Sequence, residues 1–340
     1  MKIKSIRGLT CPEGTPSENR LRSTPFLAAA AVALLVAASV AHAQGTWKTL
    51  EPLPEPTEGL AVGHVGQVII AAYGNDDVSG DTNLTRLYNI SSDSWSFGTP
   101  APLPVRAEMA YGDTNHGGSF YVIGGRGDVG LLNNLERYDP ATDTWTTLTP
   151  MTTARAAAAA AVQDDAIYVI GGRESGGGPC SGGALDVVER YDIDTDTWST
   201  VAPLPSPRSD AAAVERGGKI YVFGGCSGAG FLDEVLVYNP VTDTWSSLTP
   251  MPTARASLVA DVIGNDVHAI GGWAGGGPLD VNEVYTISSD SWSTAEPIPV
   301  GRGEAGIVSH GGRIYVIAGG QPAFGSPTDA NEVFKPNPSQ

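Results

Sequence analysis

The chain has 340 residues and a formal net charge of −17, with 43 glycines, 25 prolines and 17% charged residues. This length suits one large β domain or two ordinary domains, and the glycine and proline content is typical of many short strands joined by turns. A hydrophobic fraction of 41% excludes a wholly disordered chain, and the acidic balance opposes non-specific binding to nucleic acid or anionic lipid.

The first 43 residues have the three parts of a secretory signal peptide. A basic stretch precedes the apolar run 26–40, and residues 41–43 (AHA) supply a small-residue cleavage site. The apolar run is shorter than the roughly 20 residues of a membrane span, so we expect export to the periplasm or the extracellular space, with an N-terminal membrane anchor as the alternative. Cleavage near Ala43 removes five basic and two acidic residues, which leaves residues 44–340 with a charge of −20 and no stable membrane insertion.

Tryptophan recurs through the rest of the chain at intervals of 47 to 53 residues. The series is Trp47, Trp95, Trp145, Trp198, Trp245 and Trp292. A tyrosine stands seven residues before each tryptophan from the second onward, and the text between them nearly repeats, as in YDPATDTW and YNPVTDTW. Five repeats also contain an apolar segment ending in a glycine doublet: Gly124-Gly125, Gly171-Gly172, Gly224-Gly225, Gly271-Gly272 and Gly319-Gly320. Such a period predicts a repeat architecture.

Each repeat is predicted to form four short antiparallel strands, of which the second ends in the glycine doublet, the third at the tyrosine, and the fourth holds the tryptophan. One such sheet cannot bury both of its faces, so the sheets must stack around an axis. The chain enters with a fourth strand at Trp47 and ends after Phe334 in the tyrosine position, without the next tryptophan. We therefore expect an all-β, six-bladed propeller over residues 44–340, whose last blade is closed by the N-terminal strand around Trp47.

These residues resemble the kelch family, in which a glycine doublet is followed by a spaced tyrosine and tryptophan at a period of about 50 residues. The resemblance covers residues 47–340 and implies the propeller fold. It implies little about activity, because this fold serves oxidases, sugar mutarotases and protein-interaction modules alike. The chain more distantly resembles the periplasmic sialic-acid mutarotases of the family, although no stretch singles out that branch.

Strand alternation places the four-to-one and two-to-three connections of every blade on one face, called here the upper face. An arginine precedes the first strand in five repeats, and Glu58 takes its place in the first repeat. These arginines are Arg106, Arg155, Arg208, Arg255 and Arg302. Because arginine suits bidentate recognition of carboxylate and phosphate, we expect them to line the channel mouth and bind a ligand. The alternative is that each pairs with a neighbouring carboxylate and ties the blades together.

The residues that follow the glycine doublets differ from repeat to repeat, as expected of a site built on a repeated frame. We expect Arg126, Arg173 and Trp273 to contact a ligand there, with Trp273 either stacking on a sugar or packing on its own loop. Cys180 and Cys226 lie in neighbouring loops of the upper face, where they form a disulfide or remain separate thiols.

Four carboxylates near the mouth are candidates for general acid–base catalysis: Glu58, Glu108, Asp210 and Glu304. Glu58 is favoured among them because an arginine partner lowers the pKa of a carboxylate, and the first repeat has no arginine at the mouth. The histidines after the signal segment fall one each in four repeats, and no nucleophile or phosphate-loop pattern occurs. We therefore expect no metal and no cofactor.

Three functional hypotheses follow. The first is an exported, monomeric binding module that holds a protein partner or an anionic glycan at the arginine-lined mouth. The second is a periplasmic mutarotase acting on a sialic-acid-like sugar without a metal. The third is a structural scaffold on the cell surface that uses the blade flanks.

Overall fold

The computed structural model describes residues 45–76, 78–112, 114–175, 180, 183–321 and 326–337. The predicted signal peptide, residues 1–43, lies outside the described residues. The described residues belong to one compact unit, Ala41–Gln340. None of them forms a helix with the length and hydropathy that a membrane span requires.

Strands alone make up the regular structure of the described residues. They are β1 (Thr46–Thr49), β2 (Ala61–Val65), β3 (Val68–Ala72), β4 (Asn75–Asp76), β5 (Gly80–Asp81), β6 (Thr85–Asn89), β7 (Ser94–Phe97), β8 (Asn115–His116), β9 (Ser119–Gly127), β10 (Gly130–Asp139), β11 (Thr144–Leu148), β12 (Ala159–Gln163), β13 (Ala166–Ile170), β14 (Val188–Asp192), β15 (Thr197–Thr200), β16 (Ala212–Arg216), β17 (Lys219–Phe223), β18 (Cys226–Ser227), β19 (Gly230–Phe231), β20 (Val235–Asn239), β21 (Thr244–Leu248), β22 (Val259–Ile263), β23 (Asp266–Ile270), β24 (Trp273–Ala274), β25 (Gly277–Pro278), β26 (Asn282–Thr286), β27 (Ser291–Thr294), β28 (Gly306–His310), β29 (Arg313–Ile317) and β30 (Asn331–Lys335).

The strands form six four-stranded antiparallel sheets, which are the blades of a propeller. In blade order the sheets are β2-β3-β6-β7, β8-β9-β10-β11, β12-β13-β14-β15, β16-β17-β20-β21, β22-β23-β26-β27 and β28-β29-β30-β1. The short hairpins β4-β5, β18-β19 and β24-β25 lie in the two-to-three loops of blades 1, 4 and 5.

The last blade takes its outer strand from the beginning of the chain. Strand β1 pairs antiparallel with β30, and Trp47 lies opposite Phe334 in the register. The Trp47 indole N–H also donates to the carbonyl oxygen of Glu296 at 2.9 Å. This pairing confirms the six-bladed propeller closed by the N-terminal strand.

The first strand of each blade is innermost, and small side chains let the strands converge on the axis. The cavity along the axis is lined mainly by alanine, valine, leucine and isoleucine of these strands. At Gly306, even a Cβ atom would overlap the side chain of Val62 in the neighbouring blade. Small residues are therefore required where the inner strands approach each other closely.

In blades 1 to 5, the recurring tyrosine, aspartate and tryptophan bind each blade to the one before it. In blade 3 the Tyr191 hydroxyl donates to the Asp196 carboxylate at 2.7 Å, and that carboxylate accepts the Thr149 backbone N–H at 2.9 Å. The Trp198 indole N–H donates to the Thr149 carbonyl oxygen at 2.7 Å. Equivalent tyrosine–aspartate bonds are Tyr88–Asp93, Tyr138–Asp143, Tyr238–Asp243 and Tyr285–Asp290.

The glycine doublet occupies a left-handed backbone turn, but its sequence differs in two blades. Gly171 and Gly172 have φ of 61° and 100°, and the Gly172 N–H donates to the Arg208 carbonyl oxygen of the next blade. In blade 6 the same bond is made by Gly319, so the equivalent pair is Ala318-Gly319, which corrects the sequence assignment of Gly319-Gly320. In blade 1 the pair is Tyr73-Gly74, and Tyr73 adopts φ of 59° despite its side chain.

Candidate functional site

The five arginines that precede the first strands are buried inside the blades rather than displayed at the mouth. Each is at most 1% exposed and forms an ion pair with a glutamate on the third strand of its own blade or the loop before it. The pairs are Arg106–Glu136, Arg155–Glu189, Arg208–Glu234, Arg255–Glu283 and Arg302–Glu332. The prediction that these arginines line the mouth is therefore wrong. A buried guanidinium is stable only when it is paired and hydrogen-bonded within the protein, and these five are paired in this way.

Blade 1 has the same kind of ion pair with its charges exchanged. Arg86 lies two residues before Tyr88, where most other blades have the glutamate, and it pairs with Glu55 at 3.1 Å. The sequence contained a signal for these pairs, since Glu136, Glu189 and three equivalent residues recur shortly before the aromatic residue of the third strand. That recurrence was not used in the sequence prediction.

Glu58 does not occupy the arginine position of blade 1. The carbonyl oxygen of Thr57 accepts the Gly319 N–H in the way that the arginine carbonyl oxygens accept theirs, so Thr57 is the equivalent residue. Glu58 lies one position later, half-buried, and its carboxylate packs against Gly320. The alignment of Glu58 with the arginines is therefore wrong by one residue.

A ring of six residues, which we call the collar, encircles the upper end of the channel. Its members are Gly59, Glu108, Ala157, Asp210, Ser257 and Glu304, one from each blade. The backbone N–H of each donates to the carbonyl oxygen of the member in the preceding blade, over distances of 2.7 to 3.0 Å. All six have φ between 50° and 60°, a conformation that costs non-glycine residues energy and persists only where the surrounding structure imposes it.

The collar brings three of the predicted carboxylates together, from alternate blades. Arg173 lies between two of them, with its Nη1 3.3 Å from Asp210 Oδ1 and its Nη2 bonded to Glu108. Arg126, whose side chain is 39% exposed, approaches Glu108 at 3.4 Å. Both predicted arginines therefore reach the mouth, but Arg173 is buried and holds the collar, whereas Arg126 is open to solvent.

Glu304 is the collar carboxylate without an ion-pair partner among the described residues. Burial, together with the charges of Glu108, Glu58 and Asp210, raises the pKa of Glu304 well above its usual value. Burial also raises the pKa of Asp210, although Arg173 opposes that change. Glu304 therefore holds its proton to a higher pH than an ordinary glutamate does, while Arg173 partly offsets the effect of burial at Asp210.

Tyr111 places a hydroxyl beneath the three collar carboxylates. Its side chain is buried, and its Oη has no hydrogen-bond partner among the described residues. Burial raises its pKa well above 10, and Glu304, Glu108 and Asp210 add to the effect. Sequence reasoning missed Tyr111, because it breaks the strand pattern: it bridges to Ala159 of the next blade instead of pairing with β9.

Trp273 is not available to stack on a ligand. It is 2% exposed, and a Cβ atom on Gly303 would overlap the indole, so the ring lies directly against that backbone. The prediction that it stacks on a sugar is therefore corrected: a glycine-lined slot buries the ring at the upper face instead.

Cys180 and Cys226 form a disulfide that joins loops of blades 3 and 4, with Cα atoms 5.3 Å apart. Cys226 Sγ also lies 3.7 Å from Asp210 Oδ2, so the bridge packs against the collar. Within the described part of the chain, no group of three or more histidine, cysteine or acidic side chains is arranged to hold a metal ion.

The exposed surface around the collar is acidic and partly apolar. Arg126 is the one basic side chain of the described upper loops that is not buried, whereas several acidic ones are exposed: Asp128, Glu174, Asp186, Asp233, Asp280 and Asp329. Four of the six exposed large hydrophobic side chains of the described residues also lie in upper loops: Val78 at 96%, Leu103 at 72%, Val129 at 77% and Val300 at 43%.

Two family descriptions match the chain. The KLHDC2/KLHL20/DRC7 Kelch-repeats domain matches residues 176–338, and the Kelch motif matches residues 111–152. Mouse (Mus musculus) Kelch-like protein 40 is 29% identical over 187 residues, which cover 54% of this chain and 29% of that protein. Human (Homo sapiens) Kelch repeat and BTB domain-containing protein 12 is 33% identical over 170 residues, which cover 43% of this chain and 26% of that protein. The matches thus span less than a third of these relatives.

The solved structure of YjhT superposes with a TM-score of 0.73 and covers 86% of this chain and 99% of that chain. The sequence identity is 16%, so this likeness concerns the fold alone.

Proposed function

Because this chain belongs to the kelch-repeat β-propeller family, we propose that it is a binding module that holds a protein partner on its upper face. Kelch propellers commonly act as protein-binding modules, and a closed ring of blades offers loops from every repeat on one surface.

The observation that carries this proposal is the exposure of aliphatic side chains on neighbouring upper loops of blades 1 and 2. Val78 and Val129 stand near the tips of the two-to-three hairpins of blades 1 and 2, and Leu103 lies in the loop that joins these blades. Exposed apolar groups rimmed by polar residues are typical of protein interaction surfaces.

The surrounding charge indicates the chemistry of the partner. Asp128 is exposed next to Val129, and Asp81 lies close enough to Arg126 and Asp128 for their charges to affect its pKa. A segment that combines apolar and basic side chains fits such a surface, since opposite charges steer association and oppose the wrong partner. An anionic glycan fits less well, because Arg126 is the one accessible cation that the described upper loops offer it.

We also propose that the protein works outside the cytoplasm, in the periplasm or the extracellular space. The Cys180–Cys226 disulfide supports this, because such bonds persist in oxidising compartments and are rare in the cytosol. The signal-peptide pattern of residues 1–43 points the same way.

Fluorescence anisotropy with three labelled 12-residue probes tests the interaction surface: a Lys/Leu peptide, a Glu/Leu peptide and an oligogalacturonate. We expect the Lys/Leu peptide alone to bind, and the triple variant Val78→Ser, Leu103→Ser, Val129→Ser to weaken it at least about tenfold. Val241→Ser is the matched control, because Val241 is 91% exposed in a lower-face turn.

Preferential binding of the oligogalacturonate would instead support an anionic glycan. Equal binding by the triple variant and the wild type would reject the upper hydrophobic surface. Absence of binding by all three probes would favour a scaffold that uses the blade flanks.

A sugar mutarotase that needs no metal is the second candidate, and the raised pKa of the buried Glu304 carboxyl favours it. A buried acid with a raised pKa can protonate the ring oxygen of a sugar, and the partly exposed Arg126 can hold a sugar carboxylate. NMR of freshly dissolved N-acetylneuraminic acid measures the approach to anomeric equilibrium. Acceleration that Glu304→Gln abolishes and Asp280→Asn retains would support this activity, and the buffer rate with wild type would reject it.

A further inference from the structure

We propose that the collar binds a primary ammonium group between Glu304, Glu108 and the hydroxyl of Tyr111. The group comes from a lysine side chain of the partner or from a free alkylamine. The inference names the anchor of the binding module proposed above, and in its lysine form it rests on that function.

The collar has more carboxyl groups than arginines paired with them, which favours the binding of a cation. The carboxyls of Glu108, Asp210 and Glu304 lie close together, and among the described residues Arg126 and Arg173 are the arginines that pair with Glu108 and Asp210. Both arginines lie on the side of Glu108 and Asp210, since Arg173 bridges these two and Arg126 touches Glu108. Among the described residues Glu304 therefore has no ion-pair partner of its own, and a cation supplied from outside would complete the site.

The Tyr111 hydroxyl is a second, independent sign of a ligand. Its side chain is 7% exposed, and its Oη has no hydrogen-bond partner among the described residues. A buried hydroxyl without a partner is unfavourable, and an ammonium group carries three N–H donors. One N–H would donate to the Tyr111 hydroxyl oxygen, and the others would donate to the carboxylates of Glu304 and Glu108.

The small exposed fraction of the collar carboxyls favours a slender ligand. Glu304 and Glu108 are 8% and 7% exposed, so a small part of each reaches solvent. Below the collar, the cavity along the axis is lined by small and apolar side chains such as Ala61, Ala213 and Ala260. An ammonium at the end of an unbranched alkyl chain fits this opening better than a planar guanidinium or a quaternary ammonium.

Binding should release a proton. The groups that face Glu304 are the carboxyls of Glu58, Glu108 and Asp210, the Arg173 guanidinium and the Tyr111 hydroxyl. Burial and the three carboxyls raise the pKa of Glu304 above its usual value, whereas Arg173 opposes that change, so the carboxyl holds its proton to a higher pH than an ordinary glutamate does. Because the ammonium takes the place of that proton, its affinity should rise with pH as long as the amine remains charged.

Calorimetry with n-pentylammonium, and with n-pentanol as its uncharged match, tests the site in the purified protein. We expect the amine alone to bind, with release of about one proton measured in two buffers of different ionisation enthalpy. Glu304→Gln and Tyr111→Phe should each weaken binding, the first by about tenfold or more, because a charge-assisted hydrogen bond is lost. Asp280→Asn, in an exposed upper loop, should bind as wild type does.

Equal binding of pentanol and pentylammonium, or unchanged affinity in Glu304→Gln, would overturn the proposal. The two sources are separated with the Lys/Leu peptide and its Lys→norleucine version. If the norleucine peptide does not bind wild type and the Lys/Leu peptide does not bind Glu304→Gln, the anchor holds a lysine of the partner. If pentylammonium binds, but the two peptides bind equally well and their binding does not depend on Glu304, the anchor holds free amines.

The experiments can reject this site and the proposed function independently of each other. Peptide binding that depends on Val78, Leu103 and Val129 but not on Glu304 retains the protein-binding surface and rejects the ammonium anchor. Pentylammonium binding without any peptide binding retains the anchor and rejects the surface.

Discussion

The Gly59 backbone N–H donates to the Glu304 carbonyl oxygen at 3.0 Å, and this bond joins the first blade to the last. It is the sixth bond of the collar, so the closure of the propeller also completes the ring that holds the candidate site. Glu304 precedes the first strand of blade 6, and β1 is the outer strand of that blade. We therefore expect that loosening β1 will disturb the mouth of the channel.

The glycine doublet should be intolerant of alanine for a reason beyond its backbone conformation. Gly171 and Gly66 have nearly the same φ, 61° and 58°, but a Cβ at Gly171 would overlap the Arg208 carbonyl oxygen, whereas a Cβ at Gly66 would meet nothing within 4 Å. We expect Gly66→Ala to cost about 1 kcal/mol and Gly171→Ala at least about 2 kcal/mol more in free energy of unfolding, measured by urea denaturation. Similar losses for the two variants would show that conformation alone demands glycine.

The buried pair Arg155–Glu189, 2.8 Å apart, should be essential to stability when either member is removed alone. Arg155→Ala leaves the Glu189 carboxylate buried without its counter-ion, which should cost about 3–5 kcal/mol, and Arg155→Leu with Glu189→Leu should recover much of the loss. Lys48→Ala is the comparison at the surface, where Lys48 and Asp93 are 71% and 41% exposed, and it should cost at most about 1 kcal/mol.

Thermal and urea unfolding of these variants measures the differences. A double variant as unstable as Arg155→Ala would mean that shape, rather than charge pairing, governs this position.

The Cys180–Cys226 disulfide should stabilise the fold chiefly by shortening the unfolded chain. It closes a loop with a sequence separation of 46. A loop of that size corresponds to about 4 kcal/mol in the chain-entropy description, so dithiothreitol or Cys180→Ser with Cys226→Ser should lower the unfolding midpoint markedly. Identical unfolding curves with and without the reductant would contradict this expectation.

Stability should respond to pH in opposite directions at Glu304 and Asp290. The pKa of Glu304 is raised above its ordinary value of 4.5 in the folded protein, so the contribution of this group is complete below pH 4.5 and is lost as the pH rises toward the folded pKa. Glu304→Gln, which mimics the protonated form, should therefore be more stable than wild type at pH 8, by a margin that shrinks toward pH 4.

Asp290→Asn is the opposite case, because the hydrogen bond from the Tyr285 hydroxyl lowers the pKa of Asp290. The stability that this carboxylate contributes is present above its ordinary pKa of 3.8 and is lost as the pH falls through the lower folded value. Asp290→Asn should thus be less stable than wild type at pH 8. If the difference in stability between Glu304→Gln and wild type does not vary with pH, titration of Glu304 is excluded.

The architecture was predictable because its signals are local and recur. Tyr191 and Trp198 belong to one hairpin, and the same pair returns in the first five blades, so the period predicts the number of blades without knowledge of long-range contacts. The lone Trp47 at the beginning and Phe334 at the end likewise predicted how the ring closes.

The site was only partly predictable. The sequence placed Glu108, Asp210 and Glu304 near one mouth, but not in one hydrogen-bonded ring, since the left-handed conformation of the collar is imposed by contacts between blades. Tyr111 has no repeated counterpart, so no periodic pattern could indicate it.

The sequence by itself determined the number of blades, the closing strand and the face on which the variable loops gather, because these follow from a repeated local pattern. Only the tertiary structure decided that Arg155 and its equivalents turn inward to glutamates, while Glu304 forms no ion pair with any described residue. The choice between solvent and a buried partner depends on which charges strands distant in sequence bring within a few ångströms, and on the high cost of leaving a buried charge unpaired.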